Sequence, residues 1–130
     1  MDKETILTTF NQHFSDFIKD VQNVFPDNVD IATARKAINQ VTAVMPRLLI
    51  KLFRDNFVEK YQAAITSGNL DFFTETDYSA DLQGVNDSND LMKKIDCLRR
   101  PVKEMSPTNQ AKVVKYMQNL AKLSEMYRAL

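Results

Sequence analysis

The chain has 130 residues, 44% hydrophobic and 26% charged, and its 17 Lys and Arg balance 17 Asp and Glu to a formal net charge of zero. That length is one ordinary domain, with enough apolar residue to bury a core without a metal or a disulfide. Two glycines, Gly68 and Gly84, and a single cysteine, Cys97, exclude dinucleotide fingerprints, phosphate-binding loops, nucleophile elbows and thiolate-rich zinc sites.

A lone cysteine forms no intrachain disulfide and points to a reducing compartment. The start Met1-Asp2-Lys3-Glu4 lacks the basic and apolar regions of a signal peptide. No uninterrupted apolar run is longer than Leu48-Leu49-Ile50, far short of a membrane span. The expectation is a soluble, intracellular protein that is not secreted.

Helical periodicity runs almost throughout. Phe10, Phe14, Phe17, Val21 and Val24, widened by Ile18, recur at three- and four-residue steps and predict a first helix over 4–24 with an aromatic buried face. Phe25-Pro26 ends it, because the residue before a proline is pushed out of the helical region. Asp27-Asn28-Val29-Asp30 reads as a turn, with Asp30 the N-cap of a second helix. There Ile31, Ala34, Ile38, Val41 and Met45 share one face. Pro46 closes that helix and suits the first position of a third. In the third, Leu49, Phe53, Phe57, Tyr61 and Ile65 follow at strict four-residue steps, broadened by Leu48 and Leu52. So broad an apolar face marks the central helix of a bundle. Gly68 in Ser67-Gly68-Asn69 supplies a left-handed C-cap.

The character changes over about 69–89. Residues 71–90 carry six acidic groups and no Lys or Arg, and Leu70, Phe72, Phe73, Tyr78 and Leu82 are interspersed over 69–89. The stretch reads as an irregular connection, longer than ordinary loops and anchored to the body by its aromatics. Ser88 then caps a fourth helix with Leu91, Ile95, Leu98 and Val102 inward, which Pro101 kinks or ends early. Ser106-Pro107 opens the last helix. Its Val113, Tyr116, Leu120, Leu123, Tyr127 and Leu130 make a heptad-type seam, too short for an autonomous coiled coil. The fold class is all-α: one domain over 1–130, a bundle of about five helices with a long acidic-aromatic connection between helices three and four.

Two blocks are distinctive. They are Phe10-x3-Phe14-x2-Phe17-Ile18-x-Asp20-Val21-x2-Val24-Phe25-Pro26 and Lys115-Tyr116-Met117-Gln118-Asn119-Leu120-x-Lys122-Leu123. With Ile65-x2-Gly68-Asn69-x-Asp71-Phe72-Phe73 between them, they resemble a group of small, all-helical, functionally uncharacterised proteins of large nucleocytoplasmic DNA viruses of algae and protists. The resemblance covers most of the chain and consists mainly of packing residues. It implies a viral origin and carries over no catalytic or binding residue.

The chemistry-bearing residues are few. His13 is the one histidine, with Asp16 and Asp20 on its helix but no marked nucleophile, and it reads as a boundary residue at the edge of the aromatic face. Cys97, close to Arg99 and Arg100, reads as a small hydrophobe in the core. Asp71, Glu75, Asp77 and Asp81 are hard oxygen ligands without the spacing of a calcium loop, so no metal or cofactor is expected. No catalytic constellation or small-molecule site is evident either, and the chain reads as a non-enzyme.

Charge patterning points to binding. Residues 71–90 hold six acidic groups and no basic one, whereas 91–130 hold nine basic and three acidic. The preferred reading is a protein–protein interaction or assembly module, using Asp71, Phe72, Phe73, Glu75, Asp77, Tyr78 and Asp81 for a protein partner or self-association. The alternative is a nucleic-acid-associated protein using Arg47, Lys51 and Arg54 on helix three with Lys112, Lys115 and Lys122 on helix five, if the strips meet on one face.

Overall fold

The computed structural model describes residues 2–74 and 87–130, and these form helices and turns without a strand. Helix α1 spans Lys3–Val24, α2 Val29–Val44, α3 Leu48–Phe53, α4 Glu59–Ser67, α5 Asp71–Thr74, α6 Asp87–Asp96, α7 Arg99–Lys103 and α8 Pro107–Ala129. A π-helical turn, Arg54–Val58, joins α3 to α4 without a break. The five expected helices are therefore α1, α2, the α3–α4 rod, α6 with α7, and α8. The fold is an all-helical bundle.

Side chains set the helix ends. Asp2 accepts from the Thr5 amide at 2.8 Å and Ser106 from the Asn109 amide at 3.3 Å, each satisfying a donor that the first turn leaves free. The cap of α2 is Asn28, whose Oδ1 accepts from the Ile31 amide at 3.1 Å, not Asp30. Asp30 instead lies inside the first turn, where a carboxylate complements the helix dipole. Pro46 precedes α3 rather than opening it; Met45 to Leu48 make a turn, and the Pro46 carbonyl accepts from Asn11 Nδ2 at 2.9 Å.

The π turn follows from the spacing of the apolar residues. At 3.6 residues per turn, each four-residue step advances about 40° beyond a full circle, so the row from Leu49 to Ile65 would drift about 160°. A π turn takes in one extra residue and gives back about 100° of that drift. Phe57 and Val58, adjacent in sequence, are consequently both buried, and Ile65 still reaches the core. A bend at Tyr61 (φ −130°, ψ 27°) completes the adjustment.

Pro101 acts four residues ahead of itself. It has no N–H to give the Cys97 carbonyl, and its ring would strike that carbonyl in a continuous helix. The chain breaks at that point: α6 ends at Asp96, Leu98 bonds back to Ile95 at 3.0 Å, and α7 starts at Arg99 with Pro101 in its first turn. Leu91, Ile95, Leu98 and Val102 are all buried, as their spacing predicts. Cys97 is exposed, contrary to the core position expected of it. The turn gives the inward slot to Leu98 and leaves Cys97 outside.

Helix α8 is rotated from its expected seam. Val113, Met117, Leu120 and Ser124 are buried, while Tyr116, Leu123 and Tyr127 flank them and Leu130 is 61% exposed. The two tyrosines stay at the edge because their polar ends find partners there. Tyr116 donates to Asp20, and the Tyr127 ring lies under Lys3 Nζ at 4.7 Å. Ser124 is fully buried at no loss of hydrogen bonding, since its hydroxyl donates to the Ala121 carbonyl at 2.7 Å.

One core unites these elements. The rod is central as expected, its α3 half touching α1, α2, α6 and α8. Phe10 packs edge-on against Phe53 at 5.6 Å and Phe14 edge-on against Phe17 at 5.7 Å, while Phe53 and Phe57 meet tilted at 5.2 Å. Burying each such ring stabilises the fold by about 2–3 kcal/mol.

Candidate functional site

The acidic connection starts from a fixed platform. Gly68 takes φ 81°, and Asn69 returns its amide to the Ala64 carbonyl at 2.9 Å, closing α4. Asn69 Oδ1 then accepts from the Asp71 amide at 2.9 Å, which starts the single turn of α5. Phe73 is 2% exposed and meets Phe57 at 6.0 Å. Thr74 is buried, with its hydroxyl bonded to the Leu70 carbonyl at 3.3 Å. Phe73 thus anchors the segment, and Asp71 stays exposed.

Of the other residues expected to bind a partner, Glu75, Asp77, Tyr78 and Asp81 lie outside the described residues, as does the Phe72 side chain. The same holds for the side chain of Ser88, the expected cap of the fourth helix, which begins at Asp87. Helix α5 contacts α7, and between them Thr74, Arg99, Arg100, Lys103 and Glu104 line an open groove of about 650 Å³. Arg99 pairs with Asp96, at the end of α6, at 3.3 Å and Arg100 with Glu104, just past α7, at 3.4 Å, so two of its cations are partly neutralised by nearby carboxylates. Thr74, at the end of α5, therefore lies beside a surface that carries Arg99, Arg100 and Lys103.

Of the expected nucleic-acid residues, Arg47, Lys51 and Arg54 belong to the rod and the residue before it, and Lys112, Lys115 and Lys122 to α8. Arg47 and Lys51 are exposed, but Arg54 opens the π turn half-buried, with its Nε 3.5 Å from Asp55. Lys112 lines a groove with Asp20, Lys115 one with Gly68 and Asp71, and Lys122 one with Gln62 and Glu125. None of these three grooves includes Arg47, Lys51 or Arg54.

No pairing signal in the sequence marks the His13–Tyr116–Asp20 cluster between α1 and α8. His13 meets Tyr116 with ring centroids 4.8 Å apart, and the Tyr116 hydroxyl donates to Asp20. Burial holds the His13 imidazole below its ordinary value of 6.5, against the opposing charge of Asp16. Tyr116 is pushed up to about 12, by burial first and then by its bond to Asp20 and the charges of Asp20 and Asp16. Beside it, Phe17, Val21, Met105 and Val113 floor a half-open cleft of about 280 Å³, with Asp20 and Lys112 among the residues lining it. Proton-transfer groups are present here, with no nucleophile among the residues named.

Among the described residues, no group of three or more His, Cys, Asp or Glu side chains could hold a metal ion. No helix among them is long and apolar enough to cross a membrane. No protein-family model, curated protein or solved structure matches the chain.

Proposed function

We propose that this chain is a non-catalytic protein–protein interaction module that assembles through its acidic-aromatic connection. The setting implied by the sequence resemblance is a viral assembly. The observation that carries the reading is the anchoring of Phe73 against Phe57, which seats the start of the acid-rich stretch on the body beside the basic surface of α7. Opposed charge blocks of this kind steer association and select partners more than they add affinity. The partner to test first is a second copy, with residues 71–90 of one chain on the basic 91–130 surface of the other.

The test is molar mass in solution across a salt series, for the natural chain and for a variant with Asp77→Lys and Asp81→Lys. The natural chain is expected to associate at about 50 mM salt and to dissociate by about 500 mM, where charges more than a few ångströms apart are screened. The variant is expected to be monomeric throughout. A natural chain that is monomeric at low salt, or a variant of unchanged mass, overturns self-association. A labelled duplex in the same series tests the nucleic-acid alternative, which requires binding that falls steeply with salt and is lost on Lys51→Glu and Lys115→Glu.

A further inference from the structure

We propose that the α1–α8 seam is an acid-operated latch, in which a proton on His13 loosens α8 from α1 and uncovers the apolar faces between them. The two helices meet along most of their length, from Lys3 over Tyr127 at one end to Val24 and Asn109 in a shared groove at the other. His13 sits within this seam, and its Nε2 is buried without a hydrogen-bond partner. Its ring lies against Tyr116, which also meets Phe17 at 5.6 Å and is tied back to α1 through Asp20.

A neutral imidazole tolerates this site because one ring nitrogen is a bare acceptor, whose loss of water is a moderate cost. A protonated imidazole has two N–H donors and a full charge. The proton on Nε2 would then be buried with no acceptor, which is the costlier state. Charged groups along the seam include Lys3, Asp16 and Asp20 from α1 and Lys112 from α8, with Lys3 at the far end over Tyr127. Asp16 favours the cation, as does the face of Tyr116, yet burial outweighs Asp16. Helices α2 and α3 meet α1 on other faces, through Asn39 on Ser15, Arg35 on Gln22, and Phe53 on Phe10 and Phe14.

The direction follows from linkage. The opened seam takes up a proton once the pH falls below about 6.5, whereas the closed seam resists until lower pH. Closure is therefore complete above 6.5 and weakens as the pH drops below it. Opening exposes Val113, Met117 and Leu120 on α8 with Phe17 and Val21 on α1, all buried when closed.

The test is amide hydrogen exchange on the full chain between pH 7 and 5, corrected for intrinsic rates and compared helix by helix. For α8 amides the opening equilibrium should rise severalfold, and at most tenfold per pH unit for one proton, while α2 stays protected. In His13→Gln the rise should be absent. Loss of protection in α2 and α8 together, or a natural slope in His13→Gln, overturns the latch. Because His13 is the only histidine, its NMR titration in the natural chain gives an independent check even if the variant does not fold. A midpoint at or above 6.5 overturns the proposal.

Discussion

Phe73 meets Phe57 with ring centroids 6.0 Å apart and planes inclined at 48°, and this contact joins the start of the acidic connection to the centre of the bundle. Phe57 lies in the π turn of the central rod, while Phe73 lies in a single helical turn too short to hold itself together. The ring therefore helps to order α5, beside the Asn69 cap and the contacts with α4 and α7. Phe73→Ala should lower stability by about 3 kcal/mol, the usual cost of emptying a buried Phe site, read as a shift in the urea midpoint. It should also release the α5 amides to exchange more than those of α2. Equal loss in both would show that Phe73 supports the core without anchoring the connection.

The π turn leads to a prediction about chain length. It accommodates one residue more than an α-helix needs between the flanking segments. Deleting Asn56 should let Arg54 to Val58 close into ordinary helix, with Phe57 and Val58 still inward and α4 in its present orientation. Deleting Asn119 from the uninterrupted α8 should instead rotate everything beyond it by about 100°, turning Leu120 and Ser124 off the core. The first variant is expected to melt cooperatively within a few degrees of the natural chain. The second should lose cooperative melting, and circular dichroism on heating distinguishes them.

What was legible in the sequence follows from how local each determinant is. Ser106-Pro107, Gly68 and Phe25-Pro26 act within a few residues of themselves, and the helix ends they mark are present. The apolar stripes are likewise buried through Val21 in α1 and Ile38 in α2, whereas Val24 is exposed and Val41 and Met45 are half-buried. The rotation of α8 was not legible, because it depends on what faces it. Tyr116 looks like a seam residue by periodicity, yet its hydroxyl is drawn to Asp20, 96 positions away, and Met117 turns inward in its place. Ser124 carries no apolar signal in the sequence, and a bond within its own helix allows it to be buried. Cys97 was misplaced because the effect of Pro101 falls one turn upstream. At the candidate site, the role of Phe73 as an anchor was readable from an aromatic in an acidic loop, whereas the His13–Tyr116–Asp20 cluster joins separate helices.

Gly68 is held at φ 81°, and a Cβ built there would come within 3.4 Å of Val114 Cγ1 on α8. Gly68→Ala should therefore destabilise by about 1 kcal/mol, mostly from the left-handed backbone with a smaller share from crowding. Gly68→Asn, better suited to that conformation, should recover part of the loss. Urea midpoints for the three chains check the order. An alanine variant as stable as the natural chain would mean that the α4 end relaxes out of the left-handed turn.

Tyr116 makes the α1–α8 seam sensitive to alkali as well. Its folded value, about 12, lies above the ordinary phenol value of 10.0. A group raised on folding contributes stability that is complete below its unfolded value and is lost as the pH rises through the folded one. The stability of the natural chain should therefore carry a Tyr116 contribution up to pH 10 that declines between about 10 and 12. Tyr116→Phe keeps the ring against His13 and Phe17 but removes both the titrating hydroxyl and the bond to Asp20. Losing this one hydrogen bond at the edge of the seam should cost about 1 kcal/mol at neutral pH. Above pH 10 the difference between the two chains should shrink, because the natural phenol is then losing its proton beside the Asp20 carboxylate. Denaturation midpoints of both chains at pH 7, 10 and 11.5 measure this, and a gap that widens with pH contradicts the assignment of the shift to Tyr116.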